Sequence, residues 1–109
     1  MGKLIVMKDD KVIQECPVGH RFTIGRALHC DLSLDIAGIS PHHAQIVVQP
    51  DENSGTAVYR IRDLYSHNGT YLNNRLVSQD ILQDQDILNL GDCELTFLFN
   101  TSELETTSL

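Results

Sequence analysis

Basic residues are scarce in this chain. Eight lysines and arginines stand against 15 aspartates and glutamates, giving a formal net charge of −7 over 109 residues. A surface of that sign argues against nucleic acid and anionic membranes as partners, since both attract basic stripes. A local anion site remains compatible with it, held by a few placed donors among Arg21, Arg26, Arg60, Arg62 and Arg75. Cysteine is equally sparse. Cys16, Cys30 and Cys93 are widely spaced, odd in number and without a C-x-x-C pair, which argues against a disulfide scaffold or a zinc ribbon and for a reducing compartment. The histidines lack ligand spacing: His42 and His43 are adjacent, so on a strand they point to opposite faces, and His20, His29 and His67 lie elsewhere. No metal and no cofactor is expected. The apolar run near the N-terminus, Leu4 to Met7, is too short for a signal peptide or a membrane span. Val6 stands where a myristoylation motif after Gly2 needs Ser or Thr, and the expected location is cytoplasmic. Ser40 is not in a Gly-x-Ser-x-Gly elbow and no acid is placed to orient His43, so no enzymatic activity is expected.

Amphipathic helical periodicity is also missing. Short apolar or alternating runs recur instead: "KLIVMK", "KVIQEC", "RFTIG", "DLSLD", "HAQIVVQ", "TAVYRIRDL", "TYLN", "RLVS", "DILNL" and "ELTFLF". Turn residues separate them, with "DD" making a hairpin of the first pair and "PDENSG" ending the run at Gln49. About ten short strands at this spacing predict an all-β fold, a sandwich of two mainly antiparallel sheets with its binding loops gathered at one end. The domain is placed at 1–99 and the polar segment "NTSELETTSL" at 100–109 is a flexible tail. In the "TAVYRIRDL" strand, Arg60 and Arg62 fall on a solvated sheet face, and the cysteines are small hydrophobes.

Three loops are rich in donors: "GRALHC" (25–30), "IAGISPHH" (36–43) and "LYSHNGTYLNN" (64–74). Together they give Gly25-Arg26, Ser40 and His43 with two residues between them, and Ser66-His67-Asn68-Gly69-Thr70 followed by Asn73. In this order the pattern resembles the forkhead-associated domain, a phosphothreonine-peptide binding module, and the resemblance runs from about Lys3 to Phe99. It implies that Arg26 and Ser40 hold the phosphate and that Asn68 bonds the peptide backbone. Gly25, His43 and Gly69 are then structural, with Gly69 allowing the tight turn that presents Asn68. Asn73 is a candidate peptide contact whose other reading is a turn residue. The chemistry suits such a ligand: a phosphate monoester offers three strong acceptors and a charge of about −1.5 to −2, and a guanidinium presents a planar fork to two of them.

Two positions depart from the family pattern. Pro41 follows Ser40 and has no N–H to offer a phosphate. His67 stands where relatives often carry Thr or Ser, and it is the candidate replacement donor. The expected function is therefore a non-enzymatic adaptor that docks phosphothreonine proteins downstream of a Ser/Thr kinase. The alternative is a structural or protein-interaction β-sandwich with a vestigial phosphate site. Thr106 and Thr107 follow two glutamates in the tail, which resembles the Glu-Thr-Thr phosphorylation segment of some bacterial family members. The phosphorylated tail is thus a second candidate ligand for the chain's own site, beside a partner protein; the other reading is a tail whose composition is accidental.

Overall fold

The alternating runs become eleven strands in the computed structural model, which describes residues 2–53 and 55–99. The tail, with Thr106 and Thr107, lies outside the described residues. In chain order the strands are β1 (Lys3–Lys8), β2 (Lys11–Pro17), β3 (Arg21–Gly25), β4 (Leu32–Ser33), β5 (Ala44–Pro50) and β6 (Ala57–Asp63). There follow β7 (Thr70–Leu72), β8 (Arg75–Val77), β9 (Gln79–Leu82), β10 (Ile87–Leu90) and β11 (Cys93–Leu98). They form a six-stranded sheet, β2-β1-β11-β10-β7-β8, and a five-stranded sheet, β4-β3-β5-β6-β9. Every pairing is antiparallel except β3 with β4. The fold is the expected all-β sandwich. Among the described residues no helix is long and apolar enough to cross a membrane.

Period-two alternation turns one row of each strand inward. Leu4 and Val6 of β1, Leu88 and Leu90 of β10, and Leu95 and Phe97 of β11 are all fully buried. Ile24, Leu32, Ala44, Ile46 and Ile61 do the same on the other sheet. Burying each large aliphatic or aromatic side chain contributes about 1.5–3 kcal/mol, so this row is what holds the two layers together. Tyr59 joins the layers directly. Its ring lies 5.0 Å from that of Phe97, and its hydroxyl accepts the Gly2 N–H at 2.8 Å.

Two elements differ from the sequence expectation. "DLSLD" pairs only over Leu32–Ser33, because Asp31 turns its carboxylate onto the Thr23 N–H at 2.9 Å and takes a bond a further ladder residue would have used. The strand β9 was not expected. Its less exposed positions are Asp80 and Leu82 and its exposed ones Gln79 and Ile81, so hydropathy does not follow burial there, and its pairing with β6 defines it.

Register places the candidate loops. Ile24 of β3 pairs with Ala44 of β5, which pairs with Asp63 of β6. The loops leaving β3, entering β5 and leaving β6 therefore start from one end of one sheet. Asp63 then shapes the third loop. Its carboxylate accepts the Thr70 hydroxyl at 2.8 Å, the Ser66 N–H at 3.2 Å and the Ser66 hydroxyl. The Ser66 oxygen in turn accepts the Gly69 N–H at 2.9 Å. Gly69 has φ +88°, and a Cβ there would lie 2.6 Å from Leu76 Cδ1, so the turn requires glycine.

Removing the Asp63 carboxylate leaves the fully buried Thr70 hydroxyl and the Ser66 donors without their acceptor. Asp63→Ala is expected to lower unfolding stability by about 2–4 kcal/mol, since bonds to a charged group contribute roughly 1.5–3 kcal/mol each. Urea denaturation reads this, and a change within about 0.5 kcal/mol would show that the loop keeps its shape without the carboxylate. Cys93 makes a second prediction. Burial pushes its thiol up from 9.0 to about 11, with Lys8 lowering it and Glu94 raising it. The unfolded chain gives up this proton near pH 9.0 while the folded chain keeps it until about 11. The stabilisation is therefore complete below pH 9 and is lost as pH rises through that window. Thermal melts across the window should fall less steeply for Cys93→Ala than for the parent chain, and parallel curves would refute the assignment.

Candidate functional site

Arg26 leaves β3 directly after Gly25, and its backbone N–H bonds Ser40 O at 3.0 Å. Its Nε–H bonds Ile39 O at 3.1 Å. The side chain is thus tethered at its neck while the two terminal nitrogens keep the fork for a ligand. Among the described residues the side-chain ion pairs are Lys3–Glu15 and Arg75–Asp80, and Arg26 takes part in neither. Arg21, Arg60 and Arg62 also stand outside these pairs, and what sets Arg26 apart is its double tether to Ile39 and Ser40.

Gly25 is where it is because of Pro41. A Cβ on Gly25 would lie 2.1 Å from the Pro41 carbonyl oxygen, so no other residue fits without parting the two loops. That carbonyl accepts the Ala27 N–H at 3.1 Å and the Cys30 thiol at 3.3 Å. Pro41 has no N–H to turn outward, and its carbonyl is turned inward.

Ser40 stands at the centre of the cluster. Its hydroxyl oxygen accepts the His67 backbone N–H at 2.9 Å, which leaves the hydroxyl proton for a ligand. His43 does not touch that hydroxyl. Its ring is fully buried, its Nδ1 accepts the Ser40 backbone N–H at 3.0 Å, and its Nε2–H donates to Gly69 O at 2.9 Å. These partners fix the neutral Nε2–H tautomer and show that Ser40 and His43 are not a nucleophile with its base. The imidazole is a bridge between the Ser40 loop and the turn at Gly69.

The third loop carries His67 and Asn68, both exposed. His67 meets Ser40 through its backbone, and its ring lies at the surface. Asn68 donates one Nδ2–H to Gly38 O at 2.9 Å, so its amide is held against the Ser40 loop with Oδ1 and a second N–H to spare. Beside it runs a groove of about 470 Å³, lined in part by His67, Asn68, Tyr71 and Leu76. Leu76 is 66% exposed there, an apolar surface next to the polar donors.

Asn73 is placed differently from the other candidates. Its Nδ2 donates to Asp86 Oδ1 at 3.0 Å and its Oδ1 accepts the Ile87 N–H at 2.9 Å. With both ends of the amide engaged and φ +48°, it clamps the β7–β8 turn to the start of β10. The structure thus brings Gly25, Arg26, Ser40, His43, His67, Asn68 and Gly69 to one end, with Asn73 at the far end of β7. Sequence reasoning missed Asp63, which looks like any strand-ending aspartate until its three bonds are seen.

The histidines need a correction. His42 and His43 do diverge, one exposed and one buried. His29, however, is not isolated: it meets His42 with Nε2 against Nε2, the ring centroids 4.7 Å apart. Thirteen positions separate the two in sequence, and only the closure of the 25–30 loop onto Pro41 brings them together.

Comparison with known proteins agrees with this architecture. The transcriptional regulatory protein EmbR of Mycobacterium bovis is 41% identical over 75 residues, covering 68% of this chain and 18% of that protein. A crystal structure of the FhaA FHA domain, complexed with the intracellular domain of another protein, superposes with a TM-score of 0.77 at 28% identity, covering 89% of this chain and 99% of that one. An FHA domain solved in a study of phosphothreonine-dependent FHA domain interactions gives a TM-score of 0.75 at 26% identity, covering 90% of this chain and 97% of that one. The chain spans between 10% and 52% of the length of the curated relatives it matches. The family model for the FHA domain matches residues 22–91, the stretch that carries all three converging loops, and the chain belongs to the FHA domain family.

Proposed function

We propose that this end of the sandwich binds phosphothreonine peptides, and that the chain is a non-enzymatic adaptor module in Ser/Thr-kinase signalling. The observation that carries the reading is the pair formed by Arg26 and Ser40. One keeps its guanidinium fork free of protein carboxylates, and the other has its hydroxyl oxygen capped by an N–H so that its proton remains to donate. Both are locked to each other through the bond from Arg26 N–H to Ser40 O. Charge-assisted bonds of this kind contribute about 1.5–3 kcal/mol each. Two of them outweigh the mean repulsion of a chain of net charge −7, which is screened beyond about 8–10 Å at physiological salt.

In this reading His67 adds a donor at the rim, and Asn68 bonds the peptide backbone with the amide atoms that Gly38 leaves unused. Asn73 acts from a distance by holding the β7–β8 turn. The ligand is a phosphorylated partner protein or the chain's own tail phosphorylated at Thr106 or Thr107. The homologous FHA domain studied for phosphothreonine-dependent interactions supports the ligand class. A specific observation keeps the alternative alive: Pro41 lacks an N–H and directs its carbonyl inward, as a module with a vestigial phosphate site would allow.

Titration of the chain with a phosphothreonine peptide, its unphosphorylated form and its phosphoserine form separates the two readings. Binding is expected only with phosphate, and Arg26→Ala is expected to weaken it roughly 10–100-fold, the equivalent of one charge-assisted bond. Equal affinity for phosphorylated and unphosphorylated peptide would establish the vestigial reading instead.

A further inference from the structure

We propose that His29, Cys30 and His42 form a binding site for a divalent cation of borderline softness, Zn²⁺ foremost, which pins the Arg26 loop to the Ser40 loop. One ligand atom from each residue lies within 4.8 Å of the other two. Tetrahedral Zn²⁺, with bonds of about 2.0–2.1 Å to nitrogen and 2.3 Å to sulfur, holds its ligand atoms roughly 3.3–3.6 Å apart. Small side-chain rotations convert one arrangement into the other. His29 and His42 are exposed and free to make them, while Cys30 is 7% exposed and fixes the floor of the site.

The donor set selects the ion. Two imidazoles and a thiolate suit Zn²⁺ and its neighbours, whereas Mg²⁺ and Ca²⁺ want oxygen. Three protein ligands leave a fourth position for water. Adjacent ligands at 29 and 30 are possible because the segment is a turn, closed by the Cys30 N–H on Ala27 O at 3.1 Å, and not a strand that would send them apart. In the metal-free chain the Cys30 thiol donates to Pro41 O, and burial pushes its pKa above 9.0. On coordination that proton passes to solvent. Pro41 O is not orphaned by the loss, because it keeps the Ala27 N–H at 3.1 Å. Cys30 and His42 flank Pro41 from the two loops, so a shared ion would tie together the segments bearing Arg26 and Ser40. The site does not depend on the phosphopeptide reading.

The test uses the full chain without a histidine tag, reduced and free of chelator, and the metal alone as probe. Co²⁺ is expected to bind one to one with a near-ultraviolet sulfur-to-cobalt charge-transfer band that Zn²⁺ abolishes by displacement. His29→Ala and His42→Ala change exposed residues that need not affect folding. Each is expected to weaken binding by at least about tenfold, the lower range for losing even an outer partner of a metal site, and His20→Ala is expected to leave it unchanged. Zn²⁺ at about 100 times its Kd is expected to raise Tm by roughly 10 °C. Absence of the charge-transfer band, a band that survives both histidine variants, or a Tm unmoved by Zn²⁺ would overturn the proposal.

Discussion

The imidazole of His43 has no exposure to solvent, yet both of its nitrogens are used. Nδ1 takes the Ser40 N–H and Nε2–H goes to Gly69 O. A buried polar group left without a partner costs about 1–3 kcal/mol, so the ring stays only if the Ser40 loop and the Gly69 turn approach it together. Each loop's position is thus conditional on the other's. The bond from His67 N–H to the Ser40 hydroxyl joins the same two loops that this bridge holds together. The geometry of the site follows from a side chain buried beneath it.

Two further constraints work in the same direction. Asp63 fixes the turn from its strand side through Ser66 and Thr70. The Pro41 carbonyl, seated against Gly25 and holding Ala27 and Cys30, fixes the Arg26 loop to the Ser40 loop. Each interaction spans two loops or a loop and a strand end. A sheet supplies register but no side-to-side restraint on the loops beyond its edge, so these contacts supply it.

Much of this was legible in the sequence, and the boundary between legible and hidden has physical causes. Strands such as "RFTIG" and "KLIVMK" were readable because one row of each is buried and alternation reports burial. The β9 segment was not, because its apolar residues Ile81 and Leu82 are adjacent, one exposed and one buried, and Asp80 shares the less exposed side. "DLSLD" alternates but pairs for only two residues, since β3 ends at Gly25 and Asp31 offers its own carboxylate to Thr23; side-chain competition with the ladder is invisible to periodicity. The roles of Arg26, Ser40, Asn68 and Gly69 came from a resemblance, and those of Gly25 and His43 became physical only with the Pro41 and Gly69 contacts in place. Asp63 and the pairing of His29 with His42 are long-range consequences of loop closure. No local spacing encodes them.

Pro41 shows how one residue shifts the balance within such a site. A residue with an N–H there could offer a ligand one more donor. Proline removes that donor, and its fixed φ narrows the unfolded ensemble at a position the fold already requires. Its carbonyl then serves both neighbouring loops. The donors that remain, the Arg26 fork and the Ser40 hydroxyl, are attached to loops cross-bonded to each other within the protein itself. A ligand meeting such a site does not have to order it, and the side-chain and loop ordering that commonly subtracts from binding is small. In a chain with 15 acidic residues, where long-range attraction for an anion is absent, the proposed binding depends on this prior ordering of a few donors.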